Sequence, residues 1–352
     1  MKKFLKIFKN KKILITGHTG FKGTWLAAIF SLFGAKIYGI SLDYPTNPSF
    51  YKMMKFKNIK SYFIDIKDIK NFKKKFNQIK PDYVFHLAAQ TIVGKSYTHP
   101  LRTWHSNLNG TLNLLEILRT YKKKCNSIII TSDKCYENLE KKQGYDETDR
   151  LGGSENYSAS KASCEILINS YFKSYFVNSK NIRICSVRAG NVVGGGDWAK
   201  NRIIPDIIKS LLNKKKLIIR YPNATRPWQH VLEPLFGYIK LAILLNKKKS
   251  LSGESFNFGP SEIKNYSVLN ILRLIKLKNH SFEWTLDNKK KNKETMLLKL
   301  KCSKAMKKIK WKTCLNFQQT IFDTVYWYRN YKKYGVRKIT NNQIQSYIRK
   351  IG

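Results

Sequence analysis

Short runs of β-branched and aromatic residues alternate, over the first half of the chain, with longer segments whose apolar residues recur every three or four positions. The short runs predict buried strands, and the longer segments predict helices that cover them. Six strands are expected at Lys12–Thr16, Lys36–Leu42, Ser61–Ile64, Asp82–Leu87, Ile128–Thr131 and Asn181–Arg188. Six strands that alternate with helices predict an α/β fold, a Rossmann-type doubly wound parallel sheet with right-handed crossovers.

The alternation stops at Ala189, where a turn-rich segment with three consecutive glycines begins. We expect residues 1–190, with a return helix at about 231–250, to form the larger domain. Residues 191–230 and 251–352 are expected to form a smaller α/β domain. Its predicted elements are Arg202–Leu212, Leu217–Arg220, Glu254–Phe258, Ser267–Ile275 and Phe317–Tyr331.

The chain is strongly basic, with 67 Lys and Arg residues against 22 acidic residues and a formal net charge of +45. Such a charge attracts phosphates, so nucleic acid is one candidate partner. The lysines, however, are spread along the chain in short runs such as Lys73–Lys75 and Lys247–Lys249. This spread favours a lysine-rich composition with solvated side chains, and a nucleic-acid function is not expected.

The six cysteines show neither a CxxC pair nor a metal-ligand spacing, so reduced thiols, no metal site and a cytoplasmic location are expected. Charged residues interrupt every apolar run near the N-terminus, which argues against a signal peptide. No apolar run approaches the length of a membrane span.

A glycine pattern follows the first predicted strand and opens the first predicted helix, with glycines at Gly17, Gly20 and Gly23. The first glycine permits a tight turn, the second lets the backbone approach a pyrophosphate, and the third allows close packing of helix on strand. The phosphates would then lie at the helix N-terminus. The pattern therefore predicts a dinucleotide site.

Two further groups of polar residues carry candidate chemistry. Ser132, Asp133 and Lys134 directly follow a predicted strand, where ligands bind in open parallel sheets. Tyr157 and Lys161 lie four residues apart on one face of a predicted helix. Lowering the pKa of a tyrosine by ~3 units costs about 4 kcal/mol, which a neighbouring ammonium and a cationic cofactor ring can supply.

The glycine pattern, the strand end His86-Leu-Ala-Ala-Gln90 and Tyr157-x-x-x-Lys161 resemble the extended short-chain dehydrogenase/reductase family. Within it, the chain is similar to the CDP-glucose 4,6-dehydratases, from about Lys11 to about Leu251. The motifs that carry this closer similarity are Thr131–Glu137, Arg188–Trp198 and Arg226–Val231.

The resemblance implies NAD as cofactor, held by the larger domain. Asp43 and Ser41 compete for the adenosine ribose, and the absence of a nearby arginine favours NAD over NADP. The implied cofactor contacts are Gly17, Gly20, Phe21, Lys22, Gly23, Asp43, Asp65, Ile66, Leu87, Ala88, Ala89, Asn107, Tyr157 and Lys161. Asn107 is expected to hold a helix bend and a water.

The resemblance also implies a nucleotide-sugar substrate, which is oxidised at C4, loses water across C5 and C6, and receives the hydride back at C6. Tyr157 with Lys161 would be the base, Ser132 would bond the C4 oxygen, and Asp133 would protonate the departing hydroxyl. Lys134 stands where relatives carry a glutamate base, so a base and an electrostatic role both remain open. The product would lead to deoxysugars of surface polysaccharides such as lipopolysaccharide O-antigen.

Substrate contacts are expected mainly in the smaller domain, where arginines suit phosphates and tryptophans suit stacking on a base or sugar. Packing of these residues between domains is the alternative. The residues are Gln90, Ser96, Asn191, Trp198, Arg202, Arg226, Trp228 and His230. The family also implies a homodimer or higher homo-oligomer. Two other functions stay open: another sugar-nucleotide dehydratase or 4-epimerase of this fold, and a non-catalytic RNA-binding protein.

Overall fold

A computed structural model describes residues 5–262, 264–278, 282–287 and 297–352. Its strands are β1 (Lys12–Thr16), β2 (Lys36–Ser41), β3 (Ile59–Phe63), β4 (Tyr83–His86), β5 (Cys125–Ile130), β6 (Ile182–Ala189), β7 (Val192–Val193), β8 (Leu217–Ile219), β9 (Thr225–Arg226), β10 (Gln229–His230), β11 (Ser255–Phe258), β12 (Tyr266–Ser267) and β13 (Trp284–Leu286). Its α-helices are α1 (Phe21–Leu32), α2 (Phe50–Met54), α3 (Ile69–Ile79), α4 (Val93–Thr98), α5 (Pro100–Trp104), α6 (Gly110–Thr120), α7 (Asn156–Tyr171), α8 (Ile203–Asn213), α9 (Leu232–Lys247), α10 (Val268–Lys278), α11 (Ser303–Ile309), α12 (Phe317–Tyr334) and α13 (Val336–Lys350).

Seven parallel strands form the central sheet, in the order β11-β6-β5-β4-β1-β2-β3. The strand order reverses between β1 and β4, so the carboxyl ends of these two strands border a crevice. The predicted Rossmann-type sheet is confirmed. Each of the six predicted strands is present, with ends that differ by at most three residues.

The seventh strand corrects the sequence prediction, which assigned Glu254–Phe258 to the smaller domain. β11 pairs in parallel with β6, and Phe256 and Phe258 are fully buried. The segment that connects β6 to β11 includes α9. It returns the chain to the edge of the same sheet, where β11 pairs with β6. A four-residue strand carries no local signal for the sheet it will join.

Apolar side chains from the two faces of the sheet form two cores. The first includes Trp25 and Phe30 of α1 and much of α9, and the second includes Phe72 and Leu114. Burial of these large side chains stabilises the fold. Each Å² of apolar surface removed from water contributes a free energy of roughly 25 cal/mol. The sheet is thus covered on both faces, as an all-parallel sheet requires.

Three two-stranded pairs lie outside the central sheet, namely β7 with β10, β8 with β13 and β9 with β12. The predicted helix Phe317–Tyr331 is present and extends to Tyr334. A further helix, α13, was not predicted from the sequence and packs against α1 and α2. Gly335, with φ of +81°, joins α12 to α13. Within the described ranges, we find no helix with the length and apolar character needed to span a membrane.

Candidate active site

The glycine turn lies at the carboxyl end of β1 and has the shape of a phosphate cradle. Gly17 has φ of +74°, and a Cβ there would come within 2.8 Å of the Ala88 nitrogen. A Cβ on Gly23 would lie 2.2 Å from the Gly17 oxygen. Gly20 precedes α1 and offers no side chain to cap the helix. The residues present therefore fit a pyrophosphate that approaches bare backbone and the N–H groups of α1.

Hydrogen bonds at the end of β2 distinguish Ser41 from Asp43. The Ser41 hydroxyl is buried, lies 2.8 Å from His18 Nδ1 and accepts a hydrogen bond from the Thr19 N–H. Burial lowers the pKa of His18 to about 4, so this ring is neutral. Asp43 is exposed, and its main-chain oxygen accepts a 2.6 Å hydrogen bond from the Thr19 hydroxyl. Asp43, rather than Ser41, thus has a side chain available beside the glycine turn.

Asp65 and Ile66 follow β3, as the sequence predicted. The Asp65 carboxylate accepts a hydrogen bond from the Lys67 N–H and lies 3.4 Å from the Lys67 Nζ. Ile66 is buried and packs so closely on Gly110 that a Cβ there would lie 2.4 Å from the Ile66 Cδ1. Leu87, Ala88 and Ala89 continue from β4, and the Ala88 N–H donates to the Thr16 hydroxyl. The backbone of Leu87 and Ala88 thus packs directly against Gly17 of the glycine turn.

Asn107 lies in a wide π-helical turn, His105–Asn109, between α5 and α6. Its side chain accepts from the Gln90 N–H at 2.8 Å and donates to the Ser160 hydroxyl at 2.9 Å. The bend expected at this residue is therefore present, since a π-helical turn interrupts the regular ladder. Asn107 connects the strand that precedes Gln90 to the helix that carries Tyr157.

Gln90 and Ser96 were predicted to contact substrate, but both side chains are engaged within the protein. The Gln90 amide bonds to Ile92 and Thr103. Ser96 is fully buried and donates to Glu155 Oε2 at 3.0 Å. Glu155 in turn caps α7 by accepting from the Tyr157 and Ser158 N–H groups. Contact of either residue with substrate stays a prediction.

A short 3₁₀ turn, Asp133–Cys135, follows β5 and carries the first group of candidate catalytic residues. The Ser132 hydroxyl donates to Asp133 Oδ1 at 2.9 Å and accepts from the Lys134 N–H. Asp133 is 4% exposed, and its Oδ2 has no hydrogen-bond partner among the described residues. A Cβ on Gly190 would lie 3.3 Å from this oxygen. The turn therefore presents an acidic oxygen that nothing in the described protein satisfies.

Burial sets the direction of the pKa shift of Asp133. Burial raises this pKa, against opposing attraction from Lys134, Lys22 and Arg226 and a hydrogen bond from Ser132. A carboxyl group with a raised pKa holds its proton at higher pH and can act as an acid. The predicted protonated Asp133 is thus favoured by its surroundings.

Tyr157 and Lys161 are both buried on α7. Burial raises the pKa of Tyr157 to about 12, and the nearby Ser132 hydroxyl and Arg202 oppose this shift only in part. Burial likewise lowers the pKa of Lys161, whose Nζ donates to the Ile130 oxygen at 3.4 Å. In the chain alone burial dominates the pKa of Tyr157, and the combined lowering of this pKa by Lys161 and a cationic cofactor ring stays a prediction. An ionised Tyr157 needs additional positive charge.

Lys22 reaches the same region from the start of α1. Burial and the positive charges of Arg202 and Lys161 lower its pKa to about 8, while Asp133 opposes the shift. The ammonium of Lys22 thus lies near both candidate catalytic segments, Ser132–Lys134 and Tyr157–Lys161. The sequence placed Lys22 at the cofactor, and the structure adds its proximity to Asp133.

The predicted substrate residues of the smaller unit fall into two groups. Arg202 precedes α8, donates to Asp197 Oδ2 at 3.0 Å, and lies near Tyr157 and Lys22. Arg226 lies close enough to Asp133 to lower its pKa. Asn191 is half-buried, and its main-chain oxygen accepts from the Gln229 N–H. Arg226 therefore lies near Asp133, and Arg202 lies near Tyr157.

The two tryptophans and His230 do not present free faces there. Trp198 is buried against Tyr328 and Tyr331, and Trp228 is buried with its N–H on the Tyr266 oxygen. This arrangement favours the packing alternative for both rings. His230 packs edge-on against Trp25 and lines a cavity beside α12 and α13, and its contact with substrate stays a prediction. In extended backbone, neighbouring side chains face opposite ways, so the motif Arg226–Val231 could not fix which residues reach the site.

Sequence reasoning missed the ion pair between Glu165 and Arg188. Arg188 Nη2 lies 2.8 Å from Glu165 Oε2, and both side chains are buried. The signals were an arginine within an otherwise apolar strand and a glutamate one helical turn after Lys161. A charge in a buried strand requires a partner, so the pair could have been sought.

A family model described as GDP-mannose 4,6 dehydratase matches residues 14–324. The chain belongs to this family. It is 40% identical over 329 residues to the CDP-glucose 4,6-dehydratase of Salmonella typhimurium, covering 92% of this chain and 91% of that protein.

Solved structures with the same fold include members named as dehydratases and as epimerases. An epimerase from Methanothermobacter thermautotrophicus has a TM-score of 0.82 at 21% identity and covers 96% of this chain and 97% of its own. The dTDP-glucose 4,6-dehydratase of Bacillus anthracis, in complex with NAD, has a TM-score of 0.75 at 20% identity, with coverage of 92% and 98%. Proteins named as dehydratases and proteins named as epimerases thus share the fold of the GDP-mannose 4,6-dehydratase family.

Proposed function

We propose that this protein is an NAD-dependent dehydratase, a carbon-oxygen lyase, that converts CDP-glucose to CDP-4-dehydro-6-deoxy-glucose. The observation that carries the proposal is Asp133, a buried carboxyl group with a raised pKa and an unsatisfied Oδ2 beside Ser132 and Lys134. An epimerase needs no acid for water elimination. The identity to the Salmonella enzyme supports CDP-glucose over other nucleotide sugars.

NAD would be held by the glycine turn and by α1, with Asp43 at the adenosine ribose and Asp65 and Ile66 at the adenine. Leu87–Ala89 would border the nicotinamide half, and Lys161 would hold its ribose. When bound, NAD supplies the acceptor for the C4 hydride and returns that hydride later. Its positive ring would also lower the pKa of Tyr157, which is about 12 in the chain alone.

Oxidation at C4, the first step, uses Tyr157, Lys161 and Ser132. The Tyr157 phenolate accepts the proton of the C4 hydroxyl, and the buried Lys161 ammonium stabilises that phenolate electrostatically. The Ser132 hydroxyl lies beside the Tyr157 phenol and donates to the C4 oxygen as it becomes a ketone. The ketone then acidifies the proton at C5.

Elimination of water across C5 and C6 uses Asp133 and Lys134. Asp133 donates its proton to the departing C6 hydroxyl, which leaves as water. The C5 proton is then removed, with Lys134 either as base or as a positive charge that stabilises the enolate. Hydride return to C6 and protonation at C5 complete the product.

Arg202 and Arg226 would bind the diphosphate of the substrate. Arg226 lies near Asp133 and Arg202 near Tyr157, and guanidinium groups suit bidentate phosphate contact. The segments 191–230 and 251–352 would thus supply most substrate contacts, although β11 lies in the central sheet. The product would enter the synthesis of deoxysugars of surface polysaccharides.

A homodimer and a reducing, cytoplasmic location complete the proposal. The outer face of α7 and the start of α5 expose Ile166 and Leu101, at 59% and 72% of their surface, and such apolar groups favour contact with a second copy. All six cysteines, each in a described part of the chain, are free thiols. Light scattering should give twice the mass of one chain or more.

The experiment is incubation of the purified protein and NAD with CDP-glucose and, separately, with dTDP-, UDP- and GDP-hexoses, followed by mass spectrometry. Loss of one water from CDP-glucose alone is expected. Loss from a different nucleotide sugar would retain the reaction and contradict the substrate. A product of unchanged mass with an inverted C4 centre would favour a 4-epimerase instead.

A further inference from the structure

A buried hydroxyl group lies on each side of the candidate catalytic turn, Asp133–Cys135. Thr131 comes two residues before the first residue of this turn, and Tyr136 directly follows its last. Only 6% of Thr131 and 2% of Tyr136 are exposed. The reaction proposed above assigns no role to either hydroxyl.

One ion pair binds both hydroxyls. The Thr131 hydroxyl donates a hydrogen bond to Glu165 Oε1. Arg188 Nη2 lies 2.8 Å from Glu165 Oε2, and Arg188 Nη1 donates to the Tyr136 hydroxyl at 2.7 Å. The residues that flank the turn are therefore bonded to the same two buried side chains.

The ion pair is itself held in place by its surroundings. Burial raises the pKa of Glu165, but the charge of Arg188 and hydrogen bonds from Arg188, Thr131 and Ser186 lower it overall, so the carboxylate is ionised. The Tyr136 hydroxyl in turn donates to Asn257 Oδ1 at 2.8 Å. Networks of this kind in a buried setting restrict the positions of their members.

The network also connects the turn to the helix that carries the proposed base. Glu165 lies on α7, about two helical turns after Tyr157. Within the turn, the Ser132 hydroxyl bonds to Asp133 and to the Lys134 N–H, so these residues are placed together. Their position relative to Tyr157 thus depends on how the flanking residues are held.

We infer that Thr131 and Tyr136 are positioning residues for the catalytic turn. Their hydroxyls, bonded to the Glu165–Arg188 pair, keep the turn in register with α7. Small displacements of reacting groups lower rates strongly, so each hydroxyl contributes to turnover without contact with substrate. The inference rests on the proposed function, because that function assigns the turn its part in C4 oxidation and elimination.

The two hydroxyls should affect different steps. Thr131 adjoins Ser132, so Thr131→Val should slow C4 oxidation about tenfold, and Thr131→Ser, which keeps the hydroxyl, should restore it. Tyr136 follows the part of the turn that carries Lys134. Tyr136→Phe should therefore slow elimination about tenfold and change C4 oxidation by less than about threefold.

The test is single-turnover mixing of protein and NAD with CDP-glucose. Absorbance of the reduced nicotinamide follows C4 oxidation, and mass spectrometry of quenched samples follows water loss. In Tyr136→Phe, the absorbance should rise as in the wild type and decay about tenfold more slowly. This variant should fold, because it keeps the ring that stacks on Tyr145. Urea titration of each variant checks the fold.

The matched control is Tyr347→Phe, which also removes a buried tyrosine hydroxyl from a buried carboxylate. Tyr347 donates to Glu233 Oε2 at 2.6 Å, away from the turn, and this variant should react as the wild type does.

Three results would overturn the inference alone. One is a Tyr136→Phe variant in which both steps keep wild-type rates or slow by the same factor. Another is an equal effect of Tyr347→Phe. A third is a Thr131→Ser variant as slow as Thr131→Val. A wild-type protein that releases no water from any nucleotide sugar would instead contradict the proposed function, and the inference with it.

Discussion

Arg188 Nη2 and Glu165 Oε2 form a buried ion pair, 2.8 Å apart, close to Cys135 of the candidate catalytic turn Asp133–Cys135. Glu165 also accepts hydrogen bonds from the hydroxyls of Thr131 and Ser186. Arg188 donates to the Tyr136 hydroxyl, which donates to Asn257 of β11. The pair thus links α7 to β6, to β11 and to Thr131, which follows β5, and both carboxylate oxygens of Glu165 accept hydrogen bonds.

Arg188→Met should destabilise the fold strongly, because it leaves the Glu165 carboxylate buried without its cation. Loss of one partner of a buried pair costs about 3–5 kcal/mol. The free energy of unfolding from urea titration measures this cost. Arg119→Met is the matched control, since Arg119 pairs with Glu116 at the surface, and it should unfold at the same urea concentration as the wild type. Equal effects of the two substitutions would contradict the role of the buried pair.

The Asp133→Asn variant should become increasingly more stable than the wild type as pH rises. Burial raises the pKa of Asp133, so the unfolded chain releases this proton at lower pH than the folded chain does. From about pH 4 upward to the folded pKa, the wild type therefore loses stability that the Asn variant keeps. Urea titrations of both proteins at pH 4 and pH 8 should show a stability difference that grows in favour of Asn. A difference that shrinks with pH would contradict the raised pKa.

The same variant should lose dehydration, since asparagine has no acidic proton for the departing hydroxyl. A general acid contributes about 10²- to 10⁴-fold to rate, and turnover measured by mass spectrometry should fall by that factor. Binding of NAD, followed by calorimetry, should be unchanged. Wild-type turnover in Asp133→Asn would exclude Asp133 as the acid.

Lys134→Met should block elimination and leave NAD binding intact. The substitution removes both an amine that can act as a base and a charge that can stabilise the enolate. Single-turnover mixing should then show oxidation at C4 without water loss, seen as nicotinamide absorbance that rises and persists. Retained wild-type turnover would exclude both roles for Lys134.

Binding of NAD should lower the pKa of Tyr157, which burial raises to about 12 in the chain alone. The difference in ultraviolet titration between wild type and Tyr157→Phe isolates this one phenol among the 20 tyrosines. With NAD present, the midpoint of the difference titration should move toward neutral pH. An unmoved midpoint would mean that another group takes the C4 proton.

The central sheet, the glycine turn and the positions of both candidate catalytic segments in the fold could be predicted from the sequence because their signals are local. A β-branched run followed by Ser132-Asp133-Lys134 defines a strand and its carboxyl end within ten residues. Glycines at Gly17 and Gly23 are required by close contacts of the backbone itself. Local chemistry and local geometry agree at these positions.

The positions of β11 and His230 could not be predicted, because each depends on contacts with distant parts of the chain. β11 pairs with β6 across nearly 70 residues of sequence. His230 lies in a two-residue strand whose facing is set by pairing with Val192–Val193 and by packing on Trp25. The direction of the Tyr157 pKa shift could not be predicted either, because burial, which no motif reveals, outweighs the effect of the nearby charges.

The most direct test of the proposed reaction is the fate of the hydrogen at C4. CDP-glucose labelled with deuterium at C4, incubated with the protein and NAD in ordinary water, should give a product that has lost one water and carries the deuterium at C6. Nuclear magnetic resonance of the product locates the label. Deuterium lost to solvent would contradict hydride transfer through NAD. Deuterium at C4 of an isomer of unchanged mass would indicate return of the hydride to C4, as in a 4-epimerase, and would contradict the dehydration proposed here.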